Sequence, residues 1–196
     1  GRPRLVMHTV GVLALQGDVR EHLQVLAELS CKAIEVRTPE QLAAVDALVI
    51  PGGESTTIFK LAQIFGMLSP LREAIAGGLP VLGTCAGLIL LAKEIVDPAS
   101  GQETFGGLDI TVRRNAFGNQ NDSFETVVQL EGLAEPMHVA FIRAPIVESV
   151  GDGVEVIASL PSGQIVGVRQ QKVIGISFHP EMYGDSRVHQ LLLDSI

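Results

Sequence analysis

The sequence predicts one α/β domain: a doubly wound sheet of mixed direction with antiparallel additions in the C-terminal half. Three observations predict it. Short buried-type runs alternate with helical periodicity through the first half of the chain, and strand-like runs then follow one another without long helices between them. At 196 residues, 46% of them hydrophobic, the chain also carries enough apolar side chains for a sizeable core and is not a disordered tail.

Residues 10–15, 33–36, 47–50 and 80–84 read as short buried strands, alternating with helical segments near 19–29, 56–65, 68–76 and 86–95. Asp18 stands at the N-cap position of the first helix, whose Leu23, Leu26 and Leu29 share one face. Ser55 or Thr56 is placed to cap the second. Such alternation suits a parallel sheet covered by helices, with a site at the carboxyl ends of its strands. After Asp97-Pro98 the pattern changes. Residues 108–112, 124–130, 139–143, 154–160, 164–169 and 173–178 read as strands joined by hairpins, and a last helix runs over 186–196. Residues 99–103 read as a surface loop and Pro161-Ser162-Gly163 as a hairpin turn. Neither resembles a domain linker, so residues 10–196 are taken as one domain. Residues 1–9 are taken as a native extension or an expression remnant.

The formal charge of -8 and the absence of basic clusters argue against a nucleic-acid or anionic-membrane surface. Two cysteines without metal-type spacing fit a reducing compartment, where a thiol stays reactive. Cys31, with no glycine turn or histidine beside it, reads as a structural thiol. The five histidines form no spaced ligand set, so neither metal nor cofactor is expected. Apolar runs are broken within a strand's length, and the start of the chain lacks a secretory pattern; a cytoplasmic protein is expected.

Chemistry concentrates at three places. Cys85 sits in Gly83-Thr84-Cys85-Ala86-Gly87, between an apolar run and a helix start. Glycines on both sides permit a sharp turn and close approach of a substrate, and the helix N-terminus favours a thiolate. Alone, the turn also fits a small buried hydrophobe. At His179-Pro180-Glu181, proline biases the histidine toward extended chain, so that Glu181 can reach Nδ1 and leave Nε2 to serve the thiol. Alone, the tripeptide also fits a strand-ending turn with a solvated acid. In Pro51-Gly52-Gly53-Glu54-Ser55-Thr56-Thr57, the paired glycines can aim a backbone N–H at a substrate oxygen, and the Gly53 and Ala86 N–H groups would form a two-donor oxyanion hole. A phosphate loop is the rival, but no Lys follows the glycines.

Together these residues resemble the triad-type, or class I, glutamine amidotransferases. Leu13-Ala14-Leu15-Gln16-Gly17, Arg20-Glu21-His22, Arg114-Asn115, Phe117-Gly118, Asp122-Ser123-Phe124-Glu125 and Phe141-Ile142-Arg143-Ala144-Pro145 extend the likeness to the glutaminase subunits of pyridoxal phosphate synthase, in order along nearly the whole chain. The resemblance implies a class I amidotransferase-like fold and hydrolysis of L-glutamine through a Cys85 thioester, with His179 and Glu181 completing the triad. It implies a glutamine site of Gly53, Glu54, Ser55, Arg114, Ile142 and Arg143, the arginines as carboxylate clamps. Arg143, read as buried, is expected to find a partner. The family also implies a barrel-shaped synthase partner that receives ammonia, docks near Gln16 and Gly52, and activates the site, for which a peptide flip at Gly53 offers a route. Alternatives are a glutaminase feeding another acceptor, a cysteine hydrolase of peptides or esters, and a non-catalytic docking subunit.

Overall fold

The computed structural model describes residues 7–114 and 123–196. The strands are β1 (His8–Leu13), β2 (Cys31–Val36), β3 (Ala47–Ile50), β4 (Val81–Thr84), β5 (Ala92–Val96), β6 (Leu108–Arg113), β7 (Ser123–Val128), β8 (Met137–Ile142), β9 (Ile146–Val150), β10 (Glu155–Ser159), β11 (Ile165–Gln170) and β12 (Val173–Ile176). The helices are α1 (Val19–Ala27), α2 (Pro39–Ala43), α3 (Ser55–Ile64), α4 (Leu68–Ala76), α5 (Ala86–Leu91) and α6 (Arg187–Asp194).

The main sheet runs β2-β1-β3-β4-β12-β11-β9-β6-β5, with β10 paired to β11. β2, β1, β3, β4 and β12 are parallel. β11 is antiparallel to β12, β10 and β9, and β9 to β6; β5 and β6 run parallel at the far edge. The expected mixed sheet with antiparallel additions is therefore present. β7 and β8 form a separate antiparallel pair leaning on the main sheet through His179 N–H, which donates to Ala140 O at 3.1 Å.

Alternation along the central strands divides the core between two faces. On β3, Leu48 and Ile50 pack with α3, α4 and α5, while Ala47 and Val49 face the layer holding Leu26 of α1 and Val188 and Leu192 of α6. Helix α5 is buried along its whole length against the sheet. Its approach sets the need for Gly87, where a Cβ would lie 2.1 Å from Ile50 O.

Several expectations are corrected. The helix over 86–95 stops at Leu91: Ala92 turns extended (φ -68°, ψ 152°), and its continuation becomes β5 beside β6, exposing Lys93 and Glu94 as a strand edge permits. β1 ends at Leu13, which leaves the chain to Gln16 as a loop. Asp18 occupies the N-cap position but gives no side-chain cap, and neither Ser55 nor Thr56 caps α3, whose N-cap residue is Glu54. Two elements went unanticipated: β9, and α2, which Thr38 and Gln41 hold in a reciprocal capping box behind Pro39. Asn115, Phe117, Gly118, Asp122 and the leading residues 1–6 lie outside the described residues.

Candidate active site

Four neighbouring strands, β1, β3, β4 and β12, deliver the site from their carboxyl ends, two of them flanking the point where the order 2-1-3-4 reverses. β4 passes directly into Cys85, which is held at φ 53°, ψ -104° by its N–H to Ile176 O (2.8 Å) and by the start of α5. A side chain in this region is strained, by on the order of 1–3 kcal/mol, so the turn must be fixed by its surroundings. Cys85 is 8% exposed, with Sγ 3.8 Å from Ile142 O at the end of β8.

From β12 the chain continues to His179, and Pro180 opens a 3-10 turn, Pro180–Tyr183. His179 Nδ1 lies 2.6 Å from Glu181 Oε1, with both residues buried. The pairing expected across extended chain is thus made across the first step of a tight turn; extension stops at His179 (φ -116°, ψ 85°).

Every residue assigned to the site from the sequence except Glu181 lines one cavity of about 560 Å³: Gln16, Gly52, Gly53, Glu54, Ser55, Cys85, Ala86, Arg114, Ile142, Arg143 and His179. Glu181 sits behind the histidine. The volume suits a small metabolite. Gly52 packs so tightly that a Cβ there would meet His179 Cε1 at 2.5 Å. Gly53 has φ +155°, and Gln16 Oε1 bridges over it to accept the Glu54 N–H at 2.8 Å. Arg143 departs from expectation: it is exposed at φ 46°, and the described residues give it no ion pair, so the cavity mouth rather than a buried partner accommodates it.

Sequence reasoning missed two sets of residues. Gln102, in the segment read as a surface loop, donates through Nε2 to Ser55 Oγ (2.9 Å) and accepts from Arg114 Nη1 (3.2 Å), joining two walls of the cavity. Behind His179 lies a buried polar layer. His22 contacts His189 (Nδ1 to Nε2, 2.8 Å) and Thr84 Oγ1 (3.2 Å), and Asp18 Oδ2 stands 3.6 Å from His179 Nδ1. A signal for part of this was present in the four-residue spacing of Asp18 and His22 at a helix start. Asp18, His22 and Glu181 bring one donor atom each within 4.8 Å. Glu181 Oε1 is already engaged by His179 and His22 Nε2 by Thr84, so the group reads as a hydrogen-bonded layer rather than a metal centre.

Electrostatics follows from burial and from these neighbours. Burial opposes charge on His179, but Asp18, the Cys85 thiol and Glu181 outweigh it and push the imidazole up to about 12. Burial raises Glu181 to about 7, with His179 opposing and Asp18 assisting. Burial also works against the Asp18 anion, yet the facing His179 and Glu181 lower it to about 2. His22 and His189 are pushed down by burial to about 4 and about 3, and so are neutral at pH 7. The Cys85 thiol thus faces an imidazole whose charged form its neighbours favour.

This strand order, with its helix cover and cysteine elbow, is the fold of the class I glutamine amidotransferases. A solved glutamine amidotransferase superimposes with a TM-score of 0.89 at 49% identity, covering 95% of this chain and 97% of that one. PurLQS from Thermotoga maritima shares the fold alone (TM-score 0.67, 16% identity, 97% and 99% covered). The SNO glutamine amidotransferase family matches residues 12–196, and the chain belongs to that family. Similar proteins named pyridoxal 5'-phosphate synthase subunit PdxT include one from Streptomyces avermitilis, 61% identical over 188 residues (95% of this chain, 93% of that protein). Another, from Leifsonia xyli subsp. xyli, is 58% identical over 194 residues (98% and 96%).

Proposed function

We propose that this chain is the glutaminase subunit of a pyridoxal 5'-phosphate synthase, hydrolysing L-glutamine to L-glutamate and passing the ammonia to a barrel-shaped synthase subunit. The observation that carries the chemistry is the placing of Cys85 and His179 on one cavity of about 560 Å³, with Glu181 hydrogen-bonded to the imidazole from behind. The name shared by its relatives supports the acceptor.

In this reading the Cys85 thiolate attacks the side-chain amide carbon. The oxyanion meets the N–H groups of Gly53 and Ala86, the latter at the first turn of α5, where an N–H has no acceptor within its own helix. The His179 imidazolium gives its proton to the departing ammonia, leaving a glutamyl thioester and a neutral imidazole. Water then loses a proton to that imidazole as it attacks the thioester; glutamate leaves, and the ion pair is restored. Arg114 and Arg143 serve the α-carboxylate, Glu54 the α-ammonium, and Ser55 and Ile142 shape the wall.

The partner docks over Gln16 and Gly52. Because the Gln16 amide holds the Glu54 N–H beside Gly53, a contact that moves Gln16 is well placed to turn the Gly53 peptide. The amidotransferase domain begins with β1 at His8, two residues before the boundary expected at residue 10, and the complex works in the cytoplasm, where its thiols stay reduced.

The test is ammonia release from L-glutamine with and without the cognate synthase subunit. Turnover that is low alone and raised by the partner supports the reading. Absence of turnover in both conditions overturns it.

A further inference from the structure

Asp18 stands where a helix-capping residue belongs, yet its side chain makes no cap. The carboxylate turns into the site instead, with Oδ2 3.6 Å from His179 Nδ1 and 3.9 Å from His22 Nε2. Both oxygens are shielded from solvent, and neither has a hydrogen-bond partner among the described residues. A carboxylate that forgoes water and a cap together needs a facing positive charge to offset its desolvation. His22 does not supply it, because burial keeps that ring neutral. His179 does.

The backbone of the same residue reaches the opposite side of the site. Asp18 N–H donates to Gly52 O at 3.0 Å, and Gly52 is wedged between Asp18 and His179: a Cβ there would lie 3.2 Å from Asp18 Oδ1 and 2.5 Å from His179 Cε1. One residue therefore touches both the loop proposed to hold the oxyanion and the ring proposed to move the proton.

We propose that Asp18 is a positioning residue of the candidate triad, a second carboxylate that holds His179 as an imidazolium while its N–H fixes the Gly52-Gly53 loop in the same frame. This rests on the glutaminase reading above. The two carboxylates divide the work according to their surroundings. Glu181 is the more deeply buried and is raised toward neutrality, so its 2.6 Å hydrogen bond mainly orients the ring. Despite its burial, Asp18 is lowered by the facing His179 and Glu181 and keeps its charge, its Oδ2 standing 3.6 Å from Nδ1. The groups facing His179 are Asp18 and His22 around the start of α1, Glu181 from its own turn, Cys85 from the elbow, and Glu54, Arg114 and Arg143 around the same cavity. Among these Asp18 alone is a permanently charged acid next to Nδ1.

The experiment follows the His179 ring by NMR of carbon-13-labelled histidine in the folded protein, across pH 5 to 10, in wild type, Asp18→Asn and Asp18→Ser. The asparagine keeps shape and removes charge. The serine removes charge but keeps an oxygen able to cap α1. The wild-type ring is expected to stay protonated beyond about pH 9. In either variant that folds, its midpoint falls by about two to three pH units and so enters the measured range. The alkaline limb of kcat/KM in the synthase complex moves down with it. A wild-type midpoint near the free-histidine value of about 6.5 overturns the proposal without any variant. So does an unmoved midpoint in a folded variant, since loss of a merely structural residue would not shift a titration. Retained turnover in Cys85→Ser would sink the glutaminase reading instead, and the His179 midpoint would still decide the part played by Asp18.

Discussion

His179 Nδ1 and Glu181 Oε1 lie 2.6 Å apart, with the carboxyl group out of reach of solvent. The bond fixes the orientation of the imidazole, and Asp18 faces the same nitrogen from 3.6 Å. Glu181→Gln, which can still accept from Nδ1, should therefore lower kcat by about 10- to 100-fold rather than abolish turnover. Adding Asp18→Asn should deepen the loss by less than the product of the two single effects, because both act on one imidazolium. Glutamate release by the synthase complex measures all three variants; fully multiplicative losses would argue against a shared target.

The strained elbow at Cys85 gives a prediction opposite in sign to the usual cost of glycine. At φ 53°, ψ -104° a Cβ is disfavoured, so Cys85→Gly should unfold at higher denaturant than Cys85→Ala, by about 1 kcal/mol. Both variants lack the proposed nucleophile and should lose glutamine turnover by at least about 10³-fold. Urea unfolding checks the first expectation, and ammonia assays the second.

Gln102 joins Ser55 to Arg114 by hydrogen bonds of 2.9 and 3.2 Å. Gln102→Leu keeps similar bulk but frees the guanidinium to wander. The KM for glutamine should then rise about tenfold, equivalent to about 1.4 kcal/mol, with kcat changed by less than about twofold. Alkylation of Cys85 by iodoacetamide, which needs no amino-acid clamp, should proceed at the wild-type rate. A fall in kcat with an unchanged KM would remove Gln102 from glutamine positioning.

Acid should destabilise the fold through the layer beneath the site. His22 and His189 titrate in the folded protein near 4 and near 3, below their unfolded value of 6.5. Their burial thus stabilises the fold fully above about pH 6.5, and this contribution is lost as pH falls toward 4. Glu181, raised to about 7, works in the other direction, since its protonation begins to favour the folded state in the same window. His179, raised to about 12, acts in the same direction as Glu181 above about pH 6.5, so the two lowered histidines leave a net loss on the order of 1 kcal/mol between pH 7.5 and 4.5. Calorimetry should show the melting temperature falling over that range, with a flatter profile in His189→Phe. A profile of equal slope in wild type and variant would exclude the histidine pair as its source.

Much of the site was legible because its chemistry is written locally. Gly83-Thr84-Cys85-Ala86-Gly87 and His179-Pro180-Glu181 each carry their geometry within a few residues, and the carboxyl-edge rule for parallel strands brings them together. The end of α5 at Leu91 was not legible, because residues 86–95 keep an apolar pattern that suits either helix or strand. Pairing with β6 decides between them. Gln102 was hidden for the same kind of reason, since a polar residue in a polar loop has no periodicity to betray what it faces.

By itself, then, the sequence determined the alternating α/β architecture, the cysteine turn and the histidine–glutamate pair, since short-range sterics and spacing dictate them. Only the tertiary structure decided that Asp18 abandons its helix cap for His179, that His22 meets His189 across 167 positions of chain, and that Gln102 bridges Ser55 to Arg114. Those contacts are set by which buried polar groups the packed layers leave facing one another, and each such group must find a partner once water is excluded.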